Sequence, residues 1–284
     1  MTKTIVVGLS GPSCAGKTTI TLCLAKLFPK IAVIHQDSFY KKDADIPIDP
    51  ETQLQDWDCP EAFDMNKLVE TVCMARKRLE NKGQLSDTDS VNPLSDYAAQ
   101  WANPPDNIES LMDPDTLKDL QQLVLEKLGI SDTKQIPFSI ILVDGILLFH
   151  NNPLSQPKNK NAAHPGEVCD TGIFIYACYQ TLKSRRDSRT GYATQNGVWT
   201  DPPGYFDSIV WPDFVKYHPQ FVDKKGEVPL DVGLVADSEN DSCWRKKVTV
   251  CSSDMPIKKT LELCINTIAD GWNKRSMQGN SNQP

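Results

Sequence analysis

The chain has 284 residues, 39% of them hydrophobic, and a formal net charge of −7 at pH 7. The apolar content is enough for a sizeable core, and the acidic balance argues against DNA, RNA or an anionic membrane surface as the main partner. Nine cysteines and four histidines, with no CxxC pair and no metal-ligand spacing, predict neither a disulfide framework nor a zinc site. No run is apolar enough to span a bilayer, so a protein of the cytoplasm is expected, with the nucleus as the alternative.

The first predicted element is a buried strand at residues 4–9, and a glycine-rich loop follows it. The loop sequence GPSCAGKT fits the pattern GxxxxGK[ST]. Its glycines let backbone N–H groups approach phosphate oxygens, its lysine reaches the terminal phosphates, and its threonine hydroxyl suits Mg²⁺. Apolar residues then recur at helical spacing, so the anion would rest at a helix N-terminus. The predicted phosphate-binding residues are Gly11, Pro12, Ser13, Cys14, Ala15, Gly16, Lys17, Thr18 and Thr19.

A second short strand is predicted at residues 31–35, and Asp37 comes directly after it. Open α/β sheets bind ligands at the carboxyl ends of their strands, which places Asp37 well for chemistry; a turn aspartate that caps the next segment is the alternative. Trp57 and Asp58 combine a flat apolar surface with an acceptor for sugar hydroxyls. The alternative there is a core tryptophan beside a capping aspartate. A helix is predicted next, at residues 66–78.

Polar stretches predict insertions near residues 86–135, 151–171 and 223–242. The first carries ten acidic residues against three basic ones, which equals the net charge of the whole chain. Its second half contains a predicted helix that begins at Pro114 and ends at Gly129. We expect one domain at residues 1–272 and a flexible tail at residues 273–284.

The most apolar run, residues 138–143, predicts a central parallel strand, and Asp144 closes it. A carboxylate in this position beside a phosphate loop is expected to belong to a Mg²⁺ site, and a turn aspartate before glycine is the alternative.

Two further strands are predicted at residues 172–178 and 247–251. Between them, Arg185, Arg186 and Arg189 form a positive cluster on an acidic protein. The cluster is suited to a lid over a transferring phosphate, since phosphoryl transfer depends on positioning and charge neutralisation; a solvated helix face is the alternative. After the last strand, Ser253, Asp254 and Met255 are expected by position to lie on the adenine side.

Five apolar strands that alternate with helices predict an α/β fold: a three-layer P-loop NTPase fold with a mostly parallel five-stranded sheet and a lid. The Asn-Lys-x-Asp stretch typical of guanine-reading GTPases does not occur. A kinase needs a base, an acceptor pocket and a cationic lid. The base would be Asp37, the acceptor pocket would include Trp57 and Asp58, and the arginine cluster would be the lid.

Several stretches resemble the nicotinamide riboside kinases, especially their fungal members, within the uridine kinase and phosphoribulokinase branch of the P-loop kinases. They extend from the start of the chain to beyond residue 210. The matching stretches are GLSGPSCAGKTT (8–19), VIHQDSFY (33–40), LQDWDCPEAFDM (54–65), ILVDGILLF (141–149), RRDSR (185–189) and PPGYFDSIVWP (202–212).

The resemblance implies ATP-dependent phosphorylation of the 5′-hydroxyl of nicotinamide riboside, and of nicotinate riboside, to the mononucleotide that feeds NAD synthesis. It makes Asp37 the catalytic base near Mg²⁺, Thr18 the metal-binding hydroxyl, and Asp58 the residue that holds the ribose. Lys17 and Arg185 would act as catalytic cations, and Arg189 would contact the nucleotide. Metal ligands would be Thr18, Asp37 and Asp144. Substrate contacts would be Asp37, Ser38, Phe39, Tyr40, Trp57, Asp58, Arg186 and Tyr192.

Three positions depart from the family pattern. Trp57 stands where tyrosine is usual, Asp144 stands where glutamate is common, and Tyr192 lies one residue further from Arg189 than the family's aromatic. A uridine or cytidine kinase is the alternative enzyme, with GTP as an alternative donor. A nucleotide-binding regulatory protein without turnover, which docks a partner on its acidic insertion, is the alternative of another class. The expected partners are a small nucleoside and ATP, and the expected state is a monomer.

Overall fold

The computed structural model describes residues 3–82, 112–151, 164–189, 192–194, 197–223, 226–228 and 248–280. Within these ranges, strands and helices alternate along the chain. The strands are β1 Lys3–Ser10, β2 Ile31–His35, β3 Phe138–Gly145, β4 Thr171–Tyr176, β5 Tyr192–Thr194, β6 Gly197–Trp199 and β7 Val248–Ser252. The α-helices are α1 Lys17–Leu27, α2 Met65–Lys82, α3 Pro114–Leu128, α4 Tyr179–Asp187, α5 Trp211–Tyr217 and α6 Ile257–Asn280.

One sheet of five parallel strands, in the order β2-β3-β1-β4-β7, organises the fold. Each of the five strands predicted from apolar runs is confirmed, with ends within two residues of the prediction. β5 and β6 form a separate antiparallel hairpin that was not predicted. Strands of three residues carry too little alternation to be recognised from sequence.

Helices cover both faces of the sheet, which is why its strands are apolar on both sides. Every residue of β3 is buried, and β1 is exposed only at Lys3. One face packs against α1, α3 and α6 through residues such as Leu24, Val124 and Ile268. The other packs against α2 through Leu68 and Val72. This confirms the predicted three-layer α/β class and leaves the carboxyl edge of the sheet for the site.

Helix α3 begins and ends where its local chemistry predicted. The carboxylate of Asp113 accepts the N–H of Thr116 at 2.8 Å, Pro114 occupies the first turn, and Gly129 ends the helix with a φ of 64°. Because Leu120 and Val124 are buried in the core, this half of the predicted 86–135 insertion belongs to the helical layer. Residues 83–111 lie outside the described residues, as do 152–163, 224–225 and 229–247.

Helix α6 continues to Asn280, past residue 273, where the flexible tail is expected to begin. Arg275 connects this part of the helix to the rest of the fold. Its guanidinium donates to Asp170 at 2.9 Å and to Glu80 at 3.1 Å, which joins the last turns to the sheet edge and to α2. Residues so distant in sequence leave no local signal of this contact. In the described part of the chain, no helix is long and apolar enough to cross a membrane.

Two glycines make room for one aromatic ring in the core, and this allows a test of the packing. Gly8 of β1 and Gly172 of β4 are register partners. A Cβ on Gly172 would lie 2.5 Å from Cζ of Phe149, and one on Gly8 would lie 2.6 Å from the same atom. We expect Gly172→Ala to lower the free energy of unfolding by about 1–3 kcal/mol, because the overpacked ring must move.

Urea unfolding measures this change, and a double-mutant cycle isolates its cause. In a Phe149→Leu background the shorter side chain relieves the clash, so Gly172→Ala should cost clearly less there. An equal cost in both backgrounds would contradict the packing argument.

Candidate active site

The phosphate loop connects β1 to α1 and has the backbone that its glycines allow. Gly16 has a φ of 88°, and Cys14 adopts a left-handed φ of 64°. Lys17 is the first residue of α1, and its Nζ donates to the carbonyl oxygens of Gly11 at 3.0 Å and Pro12 at 2.9 Å. The first turn of α1 carries no acidic side chain, so the positive end of the helix dipole is available to an anion.

Two carboxylates lie beside Lys17 at the carboxyl edge of the sheet. Asp144 is near the end of β3, where it pairs in register with His35 of β2, and His35 Nδ1 lies 3.6 Å from its Oδ2. Asp37 follows His35 in a short 3₁₀ turn, Gln36–Phe39. Both carboxylates are close enough to Lys17 to raise its pKa, although burial of the ammonium has the larger, opposite effect and the net pKa is lowered.

The pKa of Asp37 is raised above its ordinary value. Desolvation by the surrounding protein has the largest effect, although the residue is exposed at the surface, and the like charge of Asp144 adds to it. The charges of Lys17 and His35 oppose the shift. A cation bound between the two carboxylates would relieve their repulsion.

These oxygen ligands fit Mg²⁺ better than a softer metal. The described residues contain no group of three or more His, Cys, Asp or Glu side chains that could hold an ion by themselves. Mg²⁺ commonly takes one or two carboxylates and completes its shell with water and phosphate oxygens. Asp37, Asp144 and the Thr18 hydroxyl at the start of α1 match that pattern.

Gln36, which sequence reasoning missed, anchors the turn that carries Asp37. Its side chain is fully buried, and its Oε1 accepts the N–H of Leu147 at 2.9 Å. A Cβ on Gly145 would lie 2.4 Å from the same oxygen. The turn after β2 is therefore locked against the turn after β3. The available signal was a long polar residue directly after an apolar strand.

Arg185 of α4 lies on the phosphate-loop side, as predicted. Its guanidinium donates to the carbonyl of Cys14 at 3.3 Å, to Ser253 Oγ at 2.9 Å and to the Ser253 carbonyl at 3.4 Å. The carboxylate of Asp254 in turn accepts the N–H of Cys178, just before α4, at 3.0 Å. The loop after β7, which also holds Met255, thus meets the phosphate loop through α4.

The other members of the arginine cluster face different surroundings. Arg186 is buried and forms a bidentate ion pair with Asp201, at 2.6 and 3.1 Å. Arg189 is exposed, yet near enough to Lys17 and Asp37 to affect the pKa of each. Tyr192 begins β5, and its side chain lies outside the described residues.

The tryptophan loop, residues 54–59, forms the second half of the site. The backbone N–H of Trp57 donates to the hydroxyl of Tyr205 at 3.1 Å, and that hydroxyl donates to the carbonyl of Gln55 at 3.0 Å. The Trp57 ring meets Tyr40 edge to face with 5.4 Å between centroids. Tyr40 stacks on Phe63 at 4.1 Å. Tyr205, in the predicted PPGYF stretch, is thus a positioning residue that sequence reasoning did not single out.

Asp58 lies at the back of this loop among charged groups. Burial raises its pKa to about 6, the positive charge of Arg186 counteracts this, and Asp213 and Asp201 add to the rise. A separate pocket of about 230 Å³, to which Asp58 does not contribute, lies between α4 and the chain from Thr200 to Phe206. Arg186, Arg189 and Tyr205 are among its lining residues. A buried carboxylate beside a buried guanidinium suits vicinal hydroxyl groups, which donate to one and accept from the other.

Phe39 and Ser38 are both predicted to contact substrate, but one is buried and the other is exposed. Phe39 is 4% exposed and packs in the same cluster as Leu68 and Val72 of α2, so the prediction that it contacts substrate is corrected to a core role. Ser38 is exposed beside Asp37. Phe39 belongs to the core because the 3₁₀ turn directs one of its residues back under the sheet.

Known proteins resemble this chain over most of its length. No protein-family model matches the chain. The nicotinamide riboside kinase of Schizosaccharomyces pombe is 30% identical over 268 residues, which cover 94% of this chain and 96% of the relative. That of Saccharomyces cerevisiae is 32% identical over 235 residues, 81% and 84% of the two chains. Human nicotinamide riboside kinase 1 is 26% identical over 226 residues, 80% and 82% of the two chains. The chain therefore belongs to the nicotinamide riboside kinase family.

Proposed function

We propose that this protein transfers the γ-phosphoryl group of ATP to the 5′-hydroxyl of nicotinamide riboside, and of nicotinate riboside, which supplies the mononucleotide for NAD synthesis. One observation carries the proposal. Lys17 of the phosphate loop lies near the carboxylates of Asp37 and Asp144, and Asp37 is near enough to Asp58 to raise its pKa. Membership of the family supports the choice of substrate.

The donor is ATP, with GTP as the alternative. The phosphate loop and the start of α1 would hold the phosphates, and Arg185 with the Ser253 to Met255 loop would border the nucleotide. The Thr18 hydroxyl, Asp37 and Asp144 would hold Mg²⁺. When bound, the ion would neutralise part of the negative charge of the phosphate groups.

In the reaction, Asp37 accepts the proton of the 5′-hydroxyl as its oxygen approaches the γ-phosphorus. Lys17, Arg185 and Arg189 spread the negative charge of the transferring group. An aspartate is a weak base, and Mg²⁺ held by Asp37 and Asp144 would oppose the rise in the pKa of Asp37 that their repulsion contributes. Orientation of the hydroxyl is its second contribution.

The tryptophan loop would recognise the acceptor. Asp58, with Arg186 behind it, would bind the ribose hydroxyls. The face of Trp57 would cover the pyridinium ring, whose positive charge it attracts by about 0.5–2 kcal/mol beyond stacking. That corresponds to a preference of about two- to thirtyfold over an uncharged pyrimidine.

A coupled ADP-release assay tests the proposal. MgATP is supplied with nicotinamide riboside, nicotinate riboside, uridine or cytidine at equal concentrations. We expect strong turnover with both pyridine ribosides and little with the pyrimidines. Trp57→Leu should raise the KM for nicotinamide riboside about two- to thirtyfold. The KM for ATP in the same variant is the internal control and should stay unchanged.

The other outcomes identify the alternatives. Turnover with uridine or cytidine alone would indicate a nucleoside kinase that uses a different acceptor. ADP release without any acceptor would indicate a hydrolase. ATP binding without turnover on all four nucleosides would favour the regulatory protein.

We also propose that the protein acts as a monomer in the cytoplasm. Gel filtration of the purified protein tests the oligomeric state.

A further inference from the structure

A pair of buried aspartates joins the tryptophan loop to α5. Asp56 is 8% exposed and Asp213 is 7% exposed, and their side chains are hydrogen-bonded to each other. Ionised carboxylates only accept hydrogen bonds, so this contact requires that one of the two carries a proton. Within the described ranges, Asp213 Oδ2 is buried and no N–H or O–H group of another residue donates to it. A proton shared with Asp56 would satisfy this oxygen.

The pair is connected directly to the acceptor side of the site. Asp56 Oδ1 accepts the N–H of Asp58 at 3.0 Å. The backbone of Asp56 is held as well, since its N–H donates to Pro47 at 2.8 Å and its carbonyl accepts the Cys59 thiol at 3.4 Å. Through Asp56, the position of α5 determines where the Asp58 main chain lies.

Within the pair the proton belongs to Asp213, because Asp56 raises the pKa of Asp213 whereas the hydrogen bond from Asp213 lowers that of Asp56. Two other charges act on the pair. Lys216, one turn along α5, lies 3.3 Å from Asp213 Oδ1 and favours its charged form. Asp58 repels a charge on Asp56. The remaining titratable groups that face the pair or Asp58 are Cys59, Tyr205, Tyr217, Arg186, Asp201 and Asp37.

We propose that Asp213 is a positioning residue for the acceptor: the proton that it shares with Asp56 holds the backbone of Asp58 in place, so acceptor affinity falls when that proton is lost. This inference rests on the proposed function only for the identity of the acceptor. Removal of the proton leaves two buried carboxylates side by side, whose repulsion must separate the loop from α5.

The direction of the pH dependence follows from burial. Burial first, and then Asp56, raises the pKa of Asp213 from its ordinary 3.8 to about 7, and the pKa of Asp56 is raised as well. Between pH 3.8 and about 7, Asp213 therefore binds more protons in the folded protein than in the unfolded chain. The pair's contribution to stability therefore falls as pH rises through this window and is lowest above pH 7.

Kinetics across pH 5.5 to 8.5 test the positioning role, with wild type, Asp213→Asn and Asp213→Leu compared. In wild type the KM for nicotinamide riboside should rise about three- to tenfold as pH passes 7, the value of one lost hydrogen bond. Asp213→Asn donates to Asp56 at every pH, so its KM should stay low and flat. Asp213→Leu should have a raised KM throughout. kcat should change less than KM in both variants, because the reacting groups are elsewhere.

Thermal unfolding supplies a second readout that needs no substrate. The difference between the thermal midpoint of Asp213→Asn and that of wild type should increase as pH rises from 5 to 7. Above pH 7 the difference should stay constant. Asp119→Asn, an exposed aspartate on α3, is the control and should show no such trend.

If the rise in KM with pH persists in Asp213→Asn, the inference is overturned. It is also overturned if the thermal midpoints of wild type and Asp213→Asn change equally with pH. Absence of turnover with the riboside in wild type would overturn the proposed function instead. The thermal comparison would still decide whether the proton is shared.

Discussion

Asp37→Asn is expected to lower kcat about 10²- to 10⁴-fold, the usual contribution of a positioned general base. The asparagine keeps the shape of the side chain but cannot accept the proton of the 5′-hydroxyl. It also removes one of the two carboxylates beside Lys17. The KM for ATP should rise less than kcat falls, because the phosphate loop is intact.

The pH profile separates proton acceptance from orientation. The raised pKa of Asp37 means that wild-type kcat/KM should increase with pH until this carboxyl is ionised. The variant should lack that rise. Asp45→Asn changes an exposed aspartate in a nearby turn and is the control. A full rate for Asp37→Asn at saturating substrates would reject the base.

Gly11→Ala is expected to destabilise the fold and abolish nucleotide binding together. Gly11 has a φ of 147°, and a Cβ there would lie 1.9 Å from the carbonyl oxygen of Ile175. That oxygen belongs to a buried strand of the sheet and cannot move aside. We expect the free energy of unfolding to fall by more than about 3 kcal/mol, well above the loss usual for one substitution.

Gly129→Ala is the matched control for this prediction. Gly129 also has a left-handed φ, 64°, but no atom lies within 4 Å of its Cβ position. Its replacement should cost about 1 kcal/mol through backbone strain alone and should leave ADP release intact. Urea unfolding of the two variants measures the difference. Similar losses would show that the close approach to Ile175 does not matter.

Much of the site could be predicted because its determinants are local. The phosphate loop is one continuous stretch, and the roles expected of its glycines, Lys17 and Thr18 follow from their spacing alone. Asp37 and Asp144 each follow an apolar strand, and parallel strands bring their carboxyl ends to one edge. The limits of α3 followed from Pro114 and Gly129 for the same reason. The roles in binding and catalysis stay predictions until the experiments are made.

Other assignments needed the folded chain because they join distant segments. The pairing of Arg186 with Asp201 was not predicted, nor was the hydroxyl of Tyr205 between Gln55 and Trp57. The resemblance assigned Phe39 to the substrate surface. Sequence proximity did not reveal which way the turn directs its ring.

The amino-acid sequence by itself determined the strands, the phosphate loop, the ends of α3 and the candidate reacting residues, since short-range patterns encode them. Only the tertiary structure decided the strand order, the helical path of residues 273–280 and the contact of Asp56 with Asp213. The physical reason is that burial and charge pairing depend on what packs nearby. An aspartate in an exposed turn and one that shares a buried proton have the same letter in the sequence.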